Sequence, residues 1–448
     1  MTILSELGEF LSTRNFEKIS KQDKESVRIH ILDTVCASIV GAKTPDGIEA
    51  LTFQKKQLQL NALTKTPLDD VLTRCAITRL SEIDDIHLPS GTTPGSIIVP
   101  TAIVLSAHLG ITDPNIFASS IVAGYEAMTR LGEAIDGQSL IYKGIWTTYF
   151  TSPFGTAAVT AHLLGLDAHQ TAHAQAIALT LIAGRIGKPG SEKTSRWVMV
   201  GNAARSGCFA ALNAATGFTG DLELLDGDWM ETAHGVPTDK NQFLKNKSGP
   251  CVVSEISTKP YCSAKQMIGG ITGFQEILAR GINPDEINTV VVSVPETYAG
   301  MINHGVIAGN RLSSATSAPY QIAIAAYNPE GLFDVARSKY ILNENVTGLM
   351  AKVSVKIDGE LKKYLPNNWP ARVEVKAGNR TERITVIDAP GDPACAFNLT
   401  QTQEKFYEFA NDLIGQDNSN VWIQLASNAA FNKNALIELQ QKFLAIGN

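Results

Sequence analysis

Two adjacent carboxylates, Asp84 and Asp85, are separated by one residue from His87 in the stretch EIDDIHLPSGTTPGS, which runs from Glu82 to Ser96. An Asp-Asp-x-His group can move protons. A carboxylate beside a second one has a raised pKa, which suits a base near neutral pH, and histidine serves as acid or base in the same range. The Gly-, Pro-, Ser- and Thr-rich end of the stretch marks a loop that closes a helix. Polar groups in such loops also serve plain structure: Asp84 and Asp85 read equally as caps, and His87 as a loop residue bonded to backbone.

Further candidates are scattered along the chain. GIWTTYF at 144–150 carries Tyr149, KTSRWVMVGNAA at 193–204 carries Arg196, KPYCSAKQ at 259–266 carries Lys259 and Lys265, and SAPYQ at 317–321 carries Tyr320. Each sits where a helix begins or the texture of the chain changes, and each taken singly is also explained by structure. No GxGxxG opens a helix after a strand, and P-loop, HExxH and GxSxG patterns are missing. GRIGKPG at 184–190 lacks a preceding strand and reads as a loop. No second His, Cys or carboxylate cluster at ligand spacing joins Asp84, Asp85 and His87, so a metal is not expected. His162 and His173 lie in Ala- and Leu-rich helical patterns and read as structural histidines.

These residues need a scaffold. The 448 residues carry 44% hydrophobic and 18% charged side chains, enough for a large core. The net charge of −6 argues against nucleic acid or an anionic membrane as a main partner, though a local cation cluster can still receive an anionic substrate. Six irregularly spaced cysteines read as reduced thiols of a cytoplasmic protein. No stretch has the length of a clean membrane span.

Hydrophobic spacing divides the chain in two. Val27, Ile31 and Val35 recur every fourth residue in a helix that Gly41 is placed to stop. SIIVPTAIVLSAHLG is apolar nearly all round and reads as a buried helix. Ala-rich patterns follow, with Asp167 as a cap. Near residue 260 the texture turns β-branched: INTVVVSVPE, AKVSVKIDGE and a hairpin in ARVEVKAGNRTERITVID, with its turn at Ala377-Gly378-Asn379. The expected architecture is mainly α with a second α+β domain. Residues 1–258, completed by 395–448, form a large all-helical domain, and 259–394 a smaller inserted lid with an antiparallel sheet. A cleft is expected at the junction.

In this order and spacing the segments resemble the MmgE/PrpD family, whose members include 2-methylcitrate dehydratase and cis-aconitate decarboxylase. The family's Asp-Asp-Thr-His appears as Asp84-Asp85-Ile86-His87, and its following His-Pro-Gly as Thr93-Pro94-Gly95. Its Lys-x-x-His-x-Gly-x-Ala-Ala is matched from Arg196 to Ala204, followed by GFTG at 217–220. Lys-x-Tyr-Pro reads Lys259-Pro260-Tyr261-Cys262, and Ser-x-x-Tyr reads Ser317 to Tyr320. Four family histidines are replaced, by Thr93, Trp146, Met199 and a residue near Ala264.

The resemblance implies proton removal beside a carboxylate, a polycarboxylate substrate and a homodimer. Loss of the histidines removes the acid that a dehydratase needs for its leaving hydroxyl. It suits a cofactor-free epimerase, as the family has for iminodisuccinate. In that reading Asp84 or His87 serves one face of the carbon and Tyr149 or Lys265 the other. Asp85 orients His87 or the loop, while Arg196, Lys259 and Tyr320 hold carboxylates. The alternatives are a hydro-lyase acting on a tricarboxylate and a catalytically silent polycarboxylate-binding homologue.

Overall fold

The computed structural model describes residues 1–61, 66–183, 194–307, 310–337 and 342–447. The stretch at 184–190 lies outside the described residues. The chain divides into two compact units, one helical and one built on a small sheet, the second formed mainly by Ser257–Phe397.

Local signals explain the helices that matter for the site. Helix α1, Lys21–Ala42, opens on Ser20, whose hydroxyl accepts from the Asp23 amide. Gly41 lies within its last turn rather than after it. A Cβ there would overlap the Ile77 carbonyl, so the glycine permits close helix packing. Helix α2, Pro67–Arg79, starts with a Thr66/Asp69 capping box and a proline in its first turn. Helix α3, Gly95–His108, is buried on every side through its first three turns, as its uninterrupted apolar run demands. Helix α4, Pro114–Ala134, begins at the Asp113 cap and carries Tyr125 into the interior.

Helices α5, Thr147–Leu163, α6, Ala168–Thr180, and α7, Ser195–Ala215, form the Ala-rich part. Asp167 caps α6 in a second capping box, with Gln170. Gly207 of α7 stands where any side chain would meet the Pro153 carbonyl of α5. Phe117, Phe150 and Phe154 are fully buried, each adding about 2–3 kcal/mol of burial.

The second unit holds helix α8, Lys265–Ala279, strand β1, Ile287–Val294, helix α9, Ala318–Tyr327, and strands β2, Val353–Ile357, β3, Ala371–Ala377, and β4, Arg380–Val386. The sheet order is β2-β1-β3-β4. β1–β3 and β3–β4 are antiparallel, the latter through a turn with Gly378 at positive φ. The expected fully antiparallel sheet is corrected at β2, which runs parallel to β1. The chain between them includes α9, and a crossover of that length brings a strand back in the same direction. α8 covers the sheet: Gly273 lies against Val373 and Val386.

Helix α10, Leu399–Ile414, belongs again to the helical unit and begins with an Asn398/Gln401 capping box. Its Lys405 is buried. The ammonium donates to the Ile83 carbonyl at 2.8 Å and pairs with Asp33 of α1. Ile83 immediately precedes the two carboxylates, so the C-terminal part of the chain holds the turn that carries them.

Candidate active site

The turn leaves α2 at Arg79 and reverses through Glu82, a non-glycine residue at φ 63°. That conformation costs on the order of 1 kcal/mol and is retained because the surroundings impose it. One imposition is direct: the Arg79 guanidinium bridges Glu82 at 3.1 Å and Asp84 at 3.2 Å. Burial alone would lower the Arg79 pKa, but the charges of Asp84 and Glu82 outweigh it and raise the pKa.

The adjacent carboxylates have different partners. Asp84 meets the Arg79 cation. Asp85 accepts the Gly95 amide at 2.8 Å and the Tyr125 hydroxyl at 2.7 Å, with His30 Nδ1 3.3 Å away. Both residues are fully buried. Burial and then the Asp85 charge push the Tyr125 pKa far up, so Tyr125 is a permanent donor. Gly95 is required by this closeness, because a Cβ there would stand 2.5 Å from Asp85 Oδ2. Asp85 therefore ties the end of the loop to the start of α3.

His87 is oriented by neither aspartate. Its backbone closes a bridge to Thr92, with N–H to O at 2.8 Å. Its Nδ1 lies 3.0 Å from Ser90 Oγ, which is 2.6 Å from Thr92 Oγ1. Its Nε2 faces Glu255 at 3.8 Å. The contact with His87 pulls the Glu255 pKa down, against a smaller opposing effect of burial.

Tyr149, in the first turn of α5, donates its hydroxyl to the Arg196 carbonyl. Burial raises its pKa, while the Arg196 and Arg79 charges oppose the rise. Arg196 opens α7. Its guanidinium lies 4.5 Å from the centre of the Trp146 ring and 4.4 Å from that of Trp197, and Arg79 also faces Trp197, at 5.5 Å. The helical unit thus gathers Asp84, Tyr149 and Arg196 around one group the sequence reading missed, Arg79. A basic residue in the last turn of a helix, five positions before the first aspartate, was the available signal.

Where the family carries histidines, this chain has other contacts. Thr93 donates its amide to Thr148 Oγ1 at 3.0 Å, and the two hydroxyls lie 3.0 Å apart. Trp146 lies against Arg196, and Met199 is exposed. Ala264 precedes α8 and is buried.

Lys259, Lys265 and Tyr320 belong to the other unit. Lys265 is nearly inaccessible, and its ammonium is engaged by Asp392, which also accepts the Ala389 amide. Tyr320 is buried near the start of α9, behind the Ser317 cap. Burial raises its pKa, and Arg337 opposes the rise. Lys259 is buried as well. Among the described residues no group of three or more His, Cys, Asp or Glu could hold a metal, and no helix is long and apolar enough to cross a membrane.

Residues 5–242 match the MmgE/PrpD N-terminal domain, and residues 271–430 the MmgE/PrpD C-terminal domain. Cis-aconitate decarboxylase of Aspergillus terreus is 26% identical over 237 residues, covering 48% of this chain and 46% of that protein. The cis-aconitate decarboxylase-like protein oryM of Aspergillus oryzae is 30% identical over 154 residues, covering 32% of this chain and 31% of that protein. The matched stretch thus spans less than half the length of either relative. With both domains of the family matched in order across a helical unit and an α+β unit, the chain belongs to the MmgE/PrpD family.

Proposed function

We propose that this chain is a cofactor-independent epimerase, inverting the carbon between a carboxylate and an imino nitrogen in iminodisuccinate. The observation that carries the reading is the grouping of Asp84, Tyr149, Arg79 and Arg196 in one unit. It offers a carboxylate, a neutral phenol and two guanidiniums.

Asp84 removes the proton beside the carboxylate, and the electron pair moves into that carboxylate as an enediolate. Arg196 and Arg79 oppose the growing negative charge, and their burial strengthens the effect. Tyr149 returns a proton to the opposite face. Its pKa, raised by burial, keeps it a phenol until that step, and exchange with solvent then resets both groups. No leaving-group acid is required. Thr93 and Trp146 at two of the family's histidine positions are compatible with such a reaction. Lys265, paired with Asp392, and Lys259 and Tyr320 belong to the other unit, and the step proposed here is written without them. His87, facing Glu255, is assigned to proton exchange with solvent.

A second reading, a lyase acting on a tricarboxylate, is favoured by the decarboxylase names of the curated relatives. Incubation with one stereoisomer of iminodisuccinate in D2O separates the two. Deuterium at Cα together with new stereoisomers on a chiral column supports epimerisation. No exchange and no isomer sinks it, and ultraviolet absorbance of an enoate from tricarboxylates then tests the lyase. Thermal stabilisation by either compound without turnover would mark a silent binder.

A further inference from the structure

Helix α6 carries His169 and His173, four residues and about one turn apart, so both rings leave the same face. Their Nε2 atoms lie 3.2 Å apart, the ring centres 4.4 Å apart, and the planes are nearly perpendicular at 83°. A head-on N–H···N bond of that length would hold the centres about 5.4 Å apart, since each nitrogen stands about 1.1 Å from its ring centre. The two rings therefore do not meet head-on. Two imidazole nitrogens bound to one ion at about 2.0–2.1 Å stand about 2.8–3.4 Å apart, for angles from square to tetrahedral. The observed separation lies inside that window.

The surroundings supply the second half of such a site. His173 Nδ1 lies 3.1 Å from the Gly220 carbonyl oxygen. Donating Nδ1–H there leaves Nε2 with a bare lone pair, which is the outer hydrogen bond that metal-ligating histidines make. The Gly220 amide is 3.2 Å from the same Nδ1 and would favour the other tautomer, so a bound ion selects between the two. His173 is nearly buried and fixed, whereas His169 is exposed and open to solvent. Neither residue belongs to the cluster around Asp84.

We infer that His169 and His173 bind one divalent transition-metal ion of the kind that prefers imidazole, such as Zn²⁺, Ni²⁺ or Cu²⁺, with water completing its shell. The ion takes the place of the proton the two rings share, and His169 moves its own proton to Nδ1. With two protein donors the affinity is far below that of a closed four-donor site. The site clamps the first two turns of α6 to the Gly220 loop.

The test is a Zn²⁺ titration of the untagged chain by calorimetry, with the unfolding midpoint followed in parallel, for wild type and His169→Gln. His169 is exposed, so this variant keeps the fold. The expected result is one ion per chain and a raised midpoint in wild type, both lost in His169→Gln. Retention of wild type, but not the variant, on immobilised Ni²⁺ gives the same answer independently. No binding by wild type at about 1 mM Zn²⁺, or equal binding by both proteins, overturns the assignment. Equal binding would place the metal on other histidines, such as His108 or His304.

Discussion

Asp84 and Asp85 are adjacent in sequence, equally buried and identical in chemistry, yet they face opposite environments. Asp84 meets a guanidinium that also acts on a phenol. Asp85 meets an amide, a phenol and the His30 ring. The difference teaches that two buried carboxylates of one turn can be held by different means: Asp84 by a cation, Asp85 by an amide, a phenol and a histidine.

The sharpest way to break this comparison is to remove each charge in turn. Asp84→Asn is expected to lower the rate of Cα–H exchange by about 10³-fold, within the range for loss of a general base, with a far smaller change in unfolding midpoint. A variant that still exchanges within tenfold of wild type would take Asp84 out of the chemistry. Asp85→Ala should do the reverse. It strands the Gly95 amide and the Tyr125 hydroxyl in the interior and should cost about 3 kcal/mol in denaturant unfolding, while the surviving folded fraction keeps its turnover per molecule. Loss of turnover without loss of stability would merge the two roles.

Arg196→Ala sharpens the cationic side. Removing one charged grip should raise KM about 10- to 100-fold with a smaller change in kcat, and Arg196→Lys should restore little, because an ammonium cannot reproduce a planar group between two indoles. An unchanged KM would remove Arg196 from substrate contact. The smallest effect belongs to Glu255. Its pKa is lowered in the fold, so its stabilising contribution is present above its unfolded pKa of about 4.5 and disappears as pH falls through the lowered value. Glu255→Gln should therefore cost about 0.3 kcal/mol at pH 6, a surface-scale effect, and less at pH 3. An equal cost at both pH values would assign it to packing.

Much of the scaffold was legible in the sequence. Asp167 and the 3.6-residue spacing marked helices where they occur, and alternation found all four strands. Pairing was not legible. Alternation reports which side chains share a face, not which strand lies beside which, so the parallel β2 was missed. At the site, Asp84, Tyr149 and Arg196 were visible as reactive types, but the organising Arg79 looked like an ordinary basic residue at a helix end. Lys405 could not have been found, since nothing local in α10 announces a contact 322 residues away.

That contact bears on how the protein is made. The turn before Asp84 is synthesised early, and its anchor leaves the ribosome only after most of the chain exists. At about 5–20 residues per second, roughly 16–65 s separate translation of Asp84 from translation of Lys405. Throughout that interval Asp33 and the Ile83 carbonyl await their ammonium, and the turn that carries Asp84 lacks its anchor. A chain released before Leu399 would hold every residue of the Asp84 cluster and still lack the support that fixes its turn.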